Sequence, residues 1–475
     1  MLKVYSSLSR KKEVFKPRKP GRVNFFVCGP TVYDLPHLGH ARTYIVFDMI
    51  VKYLRKRGFD VFYLQNITNI DDKIIKRAKE KKTTPAELAS SFEKTFFEDM
   101  EILGVNSITK YARATDHIAE IISQVDQLLK KSIAYKIEDG IYYDIKKFKD
   151  YGKLSRRTTQ QAEDGASRID ESKGKRNKGD FCLWKFSPPP LKLLKGEASP
   201  EPKWQSPWGN GRPGWHIEDT AITEKYFGPQ YDAHGGGRDL IFPHHEAEIA
   251  QMEAISGKSP LVKYWLHTGF LTVDGGKMGK SFKNFITIKD FLKDYSPRVL
   301  RLFFLKSHYR SPIDYNKKVI LQAKKELERI DEFIDKVQRT ENKKQKINQK
   351  KTLVLQAKKE FEVTMDDDFN TPKALAAIFK LVNQGNILLA KGKLSKKDAR
   401  DILKFLKDAD KFSGFIFWGK SKKETIPTGI MRLVQEREKY RKSNDYKKAD
   451  EIRQELKKKG WLVEDTKGGP NLKKM

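Results

Sequence analysis

His37, Gly39 and His40 stand inside the run from Val23 to Thr43, where a short apolar stretch (Val23 to Val27) gives way at Gly29-Pro30 to an apolar-periodic segment from about Leu38 through Tyr53. That order predicts a buried strand, a turn and a helix, with both histidines at the helix start. A helix start offers unpaired N–H groups and a positive dipole end to an anion, Gly39 lets a flat ligand approach the backbone, and imidazoles donate to phosphate oxygens. Taken alone, the H-x-G-H tetrad also fits a surface turn with incidental histidines. Far downstream, Lys277-Met278-Gly279-Lys280-Ser281 follows Asp274-Gly275-Gly276. Two lysines flanking a glycine in a loop can close over a triphosphate, so nucleotide binding is the chemistry to expect of the two segments.

A second set of residues could hold a metal. In His234-Gly235-Gly236-Gly237-Arg238-Asp239-Leu240-Ile241-Phe242-Pro243-His244-His245-Glu246-Ala247-Glu248, Pro243 suits the first position of a helix. His244 and Glu248 would then fall four apart on one face, as metal ligands on helices do; Glu248 could equally be a solvated residue pairing with His244. A metal also needs a thiolate or carboxylate from elsewhere, and Cys28 and Asp219 are the natural donors. Cys28 read by itself fits a small core residue, and Cys182, among apolar neighbours, fits inert packing. Two cysteines are too few for a disulfide scaffold.

Positioning these groups needs a layered fold. The 475 residues suffice for about three domains. Residues 1–117 alternate strand-like runs, such as Val61 to Leu64, with helical ones at Pro85 to Leu103 and, just beyond, Ile118 to Lys131. That is the pattern of a Rossmann-type parallel sheet, an α/β class in which ligands gather at the carboxyl ends of strands, where Cys28 and Thr68 fall. Residues 118–202 change character, with a hairpin at Tyr135 to Tyr143 and a charged loop from Ala162 to Gly179, and read as an insertion. The sheet domain resumes over 203–261 and leads into 262–318, which carries the lysine loop. Beyond it, 319–420 is helical and 424–475 is a separate unit with paired helices at Ile430 to Lys442 and Tyr446 to Lys459. There Trp461, on a short strand, either stacks a base or belongs to the core. The net charge of +33 favours a polyanionic partner, which RNA, DNA or an acidic membrane would satisfy. No stretch reaches the ~20 apolar residues of a membrane span and the basic Arg10 to Arg18 lacks the apolar core of a signal peptide, so a cytoplasmic protein without membrane partners is expected.

The two signatures, in this order and at this distance, resemble those of the class I aminoacyl-tRNA synthetases. With F-V-C-G-P-T-V-Y-D, N-I-T-x-I-D-D-K-I-I, G-R-P-G-W-H-I-E, H-G-G-G-x-D-L-x-F-P-H-H-E-x-E and H-Y-R-S-P-I-D-Y added, the whole chain is similar to the cysteinyl-tRNA synthetase family. The resemblance implies ATP, with Mg2+, and L-cysteine as substrates of adenylation, and tRNA(Cys) as acceptor. It implies one zinc ion per chain, held at Cys28, Asp219, His244 and Glu248, with Thr68 and Trp215 beside the amino acid. His37 and His40 would serve the phosphates, Lys277 and Lys280 the departing pyrophosphate, and Gly39, Gly235, Gly236, Gly237 and Asp239 the nucleotide. Residues 319–420 would contact tRNA and 424–475 read the anticodon, in a monomer. Two departures stand out: the family usually has cysteine where this chain has Asp219, and serine where it has Gly279. The competing readings are a ligase joining cysteine to a small amine, and an inactive RNA-binding relative.

Overall fold

The strand Arg22–Val27 has Val23, Phe25, Phe26 and Val27 fully buried, so both its faces are covered, as in the middle of a parallel sheet. In the computed structural model it is the central strand of five, in the order Val262–Thr268, Tyr231–Gly237, Arg22–Val27, Asp60–Ile67, Lys110–Arg113, with every pair parallel. The structure describes all residues except 159–160, 162–171, 188–200, 280–283, 342–351, 418–427, 467–468 and 475. From the central strand the chain first builds outward through Asp60–Ile67 and Lys110–Arg113, then returns to the opposite side with Tyr231–Gly237. The order reverses between Arg22–Val27 and Tyr231–Gly237, and a crevice opens at such a point beyond the carboxyl ends of the strands. Cys28 is the first residue past that end.

The helix Leu38–Lys56 starts at the crevice, and its apolar residues, among them Ile45, Phe47 and Ile50, are buried. Arg55 and Lys56 lie in its last turn, where cations suit the negative dipole end. The insertion carries an antiparallel sheet of four strands, Ala134–Ile137, Gly140–Tyr143, Phe181–Phe186 and Gly211–Pro213. The first two are the expected hairpin. The fourth lies past residue 202, where the sequence places the end of the insertion, and it leads directly into Gly214, Trp215 and the helix Ile217–Phe227. Cys182 is buried against Tyr135 and Tyr142, in keeping with a packing role. Much of the loop expected from Ala162 to Gly179 lies outside the described residues.

After Val262–Thr268, the strands Leu271–Val273 and Gly276–Lys277 form a hairpin, and Ile313–Tyr315 runs parallel to the first of them. Helices Lys317–Glu341, Thr352–Met365, Thr371–Ala390 and Lys396–Ser413 follow. Asn370 caps the third of these by accepting from the Lys373 N–H, and Pro372 sits in its first turn. Asp368 accepts from the Tyr5 N–H (2.9 Å), the Tyr309 hydroxyl (2.8 Å) and Arg310 Nε (2.8 Å), which ties the N-terminal strand and the H-Y-R-S-P-I-D-Y block to the helical region.

Residues 419–475 form a second compact unit. Helices Thr428–Lys442 and Tyr446–Lys458 pack together, and strand Trp461–Thr466 pairs with an unanticipated antiparallel strand, Gly469–Lys474. Trp461 is 8% exposed and packed with Ile452, Leu456 and Val463, so of its two readings the structure takes the core one.

Candidate active site

The turn at His37 to His40 is a capping box made of imidazoles. The Gly39 N–H donates to His37 Nδ1 at 3.0 Å, and the His37 N–H donates to His40 Nδ1 at 3.3 Å. A nitrogen that accepts such a bond carries a lone pair, so each neutral ring holds its proton on Nε2. The rings stack with centroids 3.9 Å apart, and burial, with His37 alongside, holds His40 well below the usual histidine range. The pair are thus neutral Nε2–H donors at a positive helix end, where two imidazolium ions would repel it and each other. A Cβ on Gly39 would come within 2.9 Å of His37 Nδ1, so this glycine is required by the cap itself.

The stretch that follows the second signature meets this turn. Leu38 N–H donates to the Ile286 carbonyl (3.1 Å) and Ile288 N–H to the Pro36 carbonyl (3.0 Å), and the Phe285 ring stands edge-on to His37. Asn284 bridges the near side of the lysine loop: its Nδ2 donates to the Lys277 carbonyl and its Oδ1 accepts from the Gly279 N–H. Lys277 is exposed on its short strand, whereas Lys280 lies outside the described residues.

A cavity of about 350 Å3 runs from His37, Gly39 and His40 to Cys28, Thr68, Trp215, Asp219 and His244. Gly237 and Asp239 line it too. Gly235 and Gly236 do not: a Cβ on Gly235 would sit 2.4 Å from the Phe47 ring, and one on Gly236 would sit 2.8 Å from His245. Their smallness brings the sheet close to the Leu38–Lys56 helix and makes room for a buried histidine, a packing role that the glycine run did not disclose.

The metal-ligand candidates converge. Cys28, Asp219, His244 and Glu248 each offer a donor atom within 4.8 Å of the others, and all four are buried. Pro243 is the cap of the helix His244–Ser256 rather than its first residue, and the four-residue spacing stands: His244 Nε2 lies 3.3 Å from Glu248 Oε1 and 3.0 Å from Asp219 Oδ2. Asp219 is oriented from behind by Asn66 Nδ2, which donates to its other oxygen at 2.6 Å, and the Thr68 hydroxyl donates to Glu218. Trp215 stacks on the His244 ring (4.6 Å, 24°), and Lys73 lies 5.3 Å above the indole.

Electrostatics favours a cation here. Burial, then the Asp219 and Glu248 carboxylates, push the Cys28 thiol well up; burial, then Asp219 and Glu218, do the same to Glu248. Glu248 Oε2 is buried and makes no hydrogen bond. A thiol, an imidazole and two carboxylates gathered in one buried space, with Glu248 Oε1 3.3 Å from His244 Nε2 and 4.0 Å from Cys28 Sγ, are a donor set that suits a divalent zinc ion.

Two groups escaped the sequence reading. Arg42, one turn into the helix, lines the cavity and donates to the carbonyls of Phe270 (2.7 Å) and Ser311, and burial lowers its pKa to about 10. Behind Cys28 lies a file of buried histidines. His234 Nε2 is 3.2 Å and His245 Nε2 3.1 Å from the sulfur; His245 Nδ1 meets His267 Nε2 at 2.8 Å, and His267 Nδ1 meets the Ser7 hydroxyl at 2.8 Å. The available signal was crowding: five of the nine histidines lie between positions 216 and 267.

The pattern describing the tRNA synthetases class I (C) catalytic domain matches residues 14–325. A DALR domain pattern matches 360–415, and a cysteinyl-tRNA ligase anticodon binding domain pattern matches 424–470. The chain is 45% identical to the cysteine–tRNA ligase of Thermococcus gammatolerans, covering all of this chain and 99% of that one. Against the same-named protein of Pyrococcus abyssi the identity is 46%, over 98% and 97% of the two chains. Among solved structures, an Agrobacterium radiobacter LeuRS in ternary complex with tRNA and LeuAMS matches with a TM-score of 0.62 at 12% identity, covering 85% of each chain. Mycobacterium tuberculosis methionyl-tRNA synthetase with methionyl-adenylate matches at 0.60 and 15% identity, over 83% of this chain and 90% of that one. At these identities the likeness concerns the fold.

Proposed function

The chain belongs to the cysteine–tRNA ligases, a class I aminoacyl-tRNA synthetase family, and from that premise we propose how its own groups divide the work. The reaction joins L-cysteine and ATP into cysteinyl-adenylate and pyrophosphate, then passes cysteine to the 3'-terminal adenosine of tRNA(Cys). The observation that carries the assignment is that the His37–His40 turn and Cys28, Asp219 and His244 of the donor cluster open into one cavity, with Glu248 buried behind them. An amino acid held at the cluster and a triphosphate held at the helix start would lie within one small space.

In the first step the cysteine carboxylate attacks the α-phosphate in line. No enzyme nucleophile is needed, so positioning and charge stabilisation account for the rate. Nε2–H of His37 and His40 donates to phosphate oxygens as charge builds on them. Lys277 and Lys280 neutralise the departing pyrophosphate, with Mg2+ accompanying ATP. Gly39, Gly237 and Asp239 bound the nucleotide end of the cavity, while Gly235 and Gly236 act from behind by letting sheet and helix close up. Thr68 and Trp215 flank the amino-acid end.

Cys28, Asp219, His244 and Glu248 would hold zinc. Bound there, zinc supplies a preference for thiolate over hydroxyl and lowers the substrate thiol pKa, which is the discrimination between cysteine and serine that a purely apolar pocket provides poorly. Asn66 fixes one Asp219 oxygen and leaves the other toward His244, so Asp219 can stand where the family usually has cysteine.

The helical region and the second unit serve tRNA, the latter at the anticodon. Those matched regions, together with both retained histidines, favour this reading over a small-amine ligase or an inactive relative. A monomer is the proposed state. The test is cysteine-dependent ATP–pyrophosphate exchange followed by charging of tRNA(Cys). Exchange without charging would point to the small-amine ligase, and neither activity would leave the RNA-binding relative.

A further inference from the structure

Arg42 is a buried cation with no anion beside it. The side chain is 2% exposed and borders the cavity, and burial is the sole cause of its lowered pKa, so among the described residues no carboxylate offsets its charge. Its partners are three carbonyls. Nη1 donates to Phe270 at 2.7 Å, and Nη2 donates to Ser311 and, at 3.4 Å, to Tyr309. Phe270 leads from the strand Val262–Thr268 into the hairpin Leu271–Val273 and Gly276–Lys277, while Tyr309 and Ser311 precede Ile313–Tyr315, the strand that pairs with that hairpin. The two segments are tied to each other as well: the Gly269 N–H donates to the Tyr309 carbonyl (2.8 Å) and the Ile313 N–H to the Phe270 carbonyl (2.9 Å). Next to Arg42, Thr43 Oγ1 meets Thr268 Oγ1 at 3.2 Å, so consecutive residues of the helix Leu38–Lys56 hold the strand end and the root of the hairpin. A Cβ on Gly269 would fall 2.3 Å from the Ser311 carbonyl oxygen, so the joint between them is closely packed.

We propose that Arg42 is a positioning residue that pins the root of the lysine hairpin to the helix bearing His37 and His40, and thereby sets where the hairpin's lysines reach. The inference rests on the reading that those lysines serve the departing pyrophosphate. Three physical points support it. His40 and Arg42 stand on one helix, so the spacing between the histidine turn and the hairpin root is fixed by a rigid element and one side chain rather than by a loop. A planar guanidinium holds carbonyls of both segments on two nitrogens at a set separation, which a single ammonium nitrogen does not reproduce. The third point is the charge itself.

Burying an unpaired charge is unfavourable, and carbonyls alone would be satisfied by a neutral amide. A cation in the cavity wall has a use where an anion enters, and the triphosphate of the proposed reaction enters this cavity. ATP then supplies the counter-charge that the protein withholds, and the joint is firmest when the nucleotide is bound.

A double-mutant cycle in cysteine-dependent pyrophosphate exchange, run on the full chain, tests this. Arg42→Lys keeps the charge and loses the fork. It should slow exchange at saturating ATP and cysteine roughly 10–100-fold, the scale of a misplacement of about 1 Å, with the KM for cysteine unchanged. In a Lys277→Ala/Lys280→Ala background the same substitution should slow exchange no more than about threefold, because the groups it positions are gone. Equal losses in both backgrounds would overturn the pin and leave the lysine reading intact, as would near-normal exchange by Arg42→Lys alone. A lysine-free background that exchanges like the unmodified protein would overturn both. Gly269→Ala gives an independent arm: it presses on Ser311 from the other side with Arg42 intact, and should show the same non-additivity. Amide hydrogen exchange reads the joint directly. Arg42→Lys should speed it over residues 270–279 and not in the strand Arg22–Val27, and unchanged protection of the hairpin refutes the proposal.

Discussion

Replacing His40 separates two roles that one imidazole performs. Its Nδ1 accepts the His37 N–H to close the helix cap, while its Nε2–H is assigned to the phosphates. His40→Ala should lose both. The cap is worth about 1 kcal/mol, and a unit as large as residues 1–418 would show that as a fall in Tm of no more than about 2–4 °C. Losing one donor to charge that develops in the transition state costs about 2.7–4 kcal/mol, or roughly 10^2–10^3-fold in rate. His40→Gln should behave differently, because glutamine at this position of a capping box accepts the same N–H through its carbonyl and still presents an amide donor. We therefore expect the glutamine variant to recover the Tm and only part of the rate. The assays are thermal unfolding and cysteine-dependent pyrophosphate exchange at saturating ATP. Exchange by His40→Ala within about threefold of the unmodified protein would refute the donor role, and a Tm no better for glutamine than for alanine would refute the cap.

The remaining predictions follow from other features of the same site. Because burial and His37 hold His40 well below the usual histidine range, the folded state resists a proton that the unfolded chain takes up; its contribution is present above the unfolded histidine pKa of about 6.5 and lost as pH falls below it. Between pH 7 and pH 5 the unmodified protein should lose stability relative to His40→Gln, and equal pH slopes in denaturant titrations would contradict this. Asp219→Ala should yield protein with less zinc by metal analysis and a weaker preference for cysteine over serine; undiminished zinc and preference would remove Asp219 from the ligand set. Gly235→Ala should destabilise by roughly 1–3 kcal/mol through collision with the Phe47 ring, while the KM for ATP of the folded protein stays the same, and a raised KM with unchanged stability would return this glycine to the nucleotide site. A chain ending near residue 420 should keep pyrophosphate exchange but charge tRNA poorly at limiting tRNA, and full charging by it would show that residues 424–475 do not read the anticodon.

The parts of this molecule that were legible in the sequence are those where local pattern and chemistry coincide. Val23 to Val27 is a continuous apolar run, and the structure makes it the central strand; His37 to His40 sits where apolar period changes, and the structure makes it the helix cap. His244 and Glu248 could be paired from helical spacing, and Cys28 and Asp219 joined to them as the donors a metal would need and through the family resemblance, but that the four side chains converge in one buried space only tertiary closure shows. What stayed hidden depends on contacts distant in sequence. The resemblance gives Gly235 and Gly236 to the nucleotide, and nothing near them in sequence announces Phe47 or His245 as the neighbours they admit. The strand Gly211–Pro213 is too short to show alternation and lies among turn residues, so the insertion ends later than its composition suggests. His234 and His267 carry no spacing signal, because a histidine on a buried strand looks in sequence like any other polar residue.

That short strand also sets how this protein can be recombined. Gly211–Pro213 pairs with Phe181–Phe186, and a Cβ on Gly214 would fall 1.9 Å from the Cys182 carbonyl oxygen, so the chain is pinned to the inserted sheet as far as residue 214. Trp215 on the cavity wall comes next, and Asp219 four residues later. A graft that exchanges the insertion at residue 202 would leave its sheet one strand short, and one that keeps the sheet whole must be spliced at the lip of the amino-acid pocket. Insertion and pocket are therefore inherited as one block, and homologous exchange cannot renew either without carrying the other along.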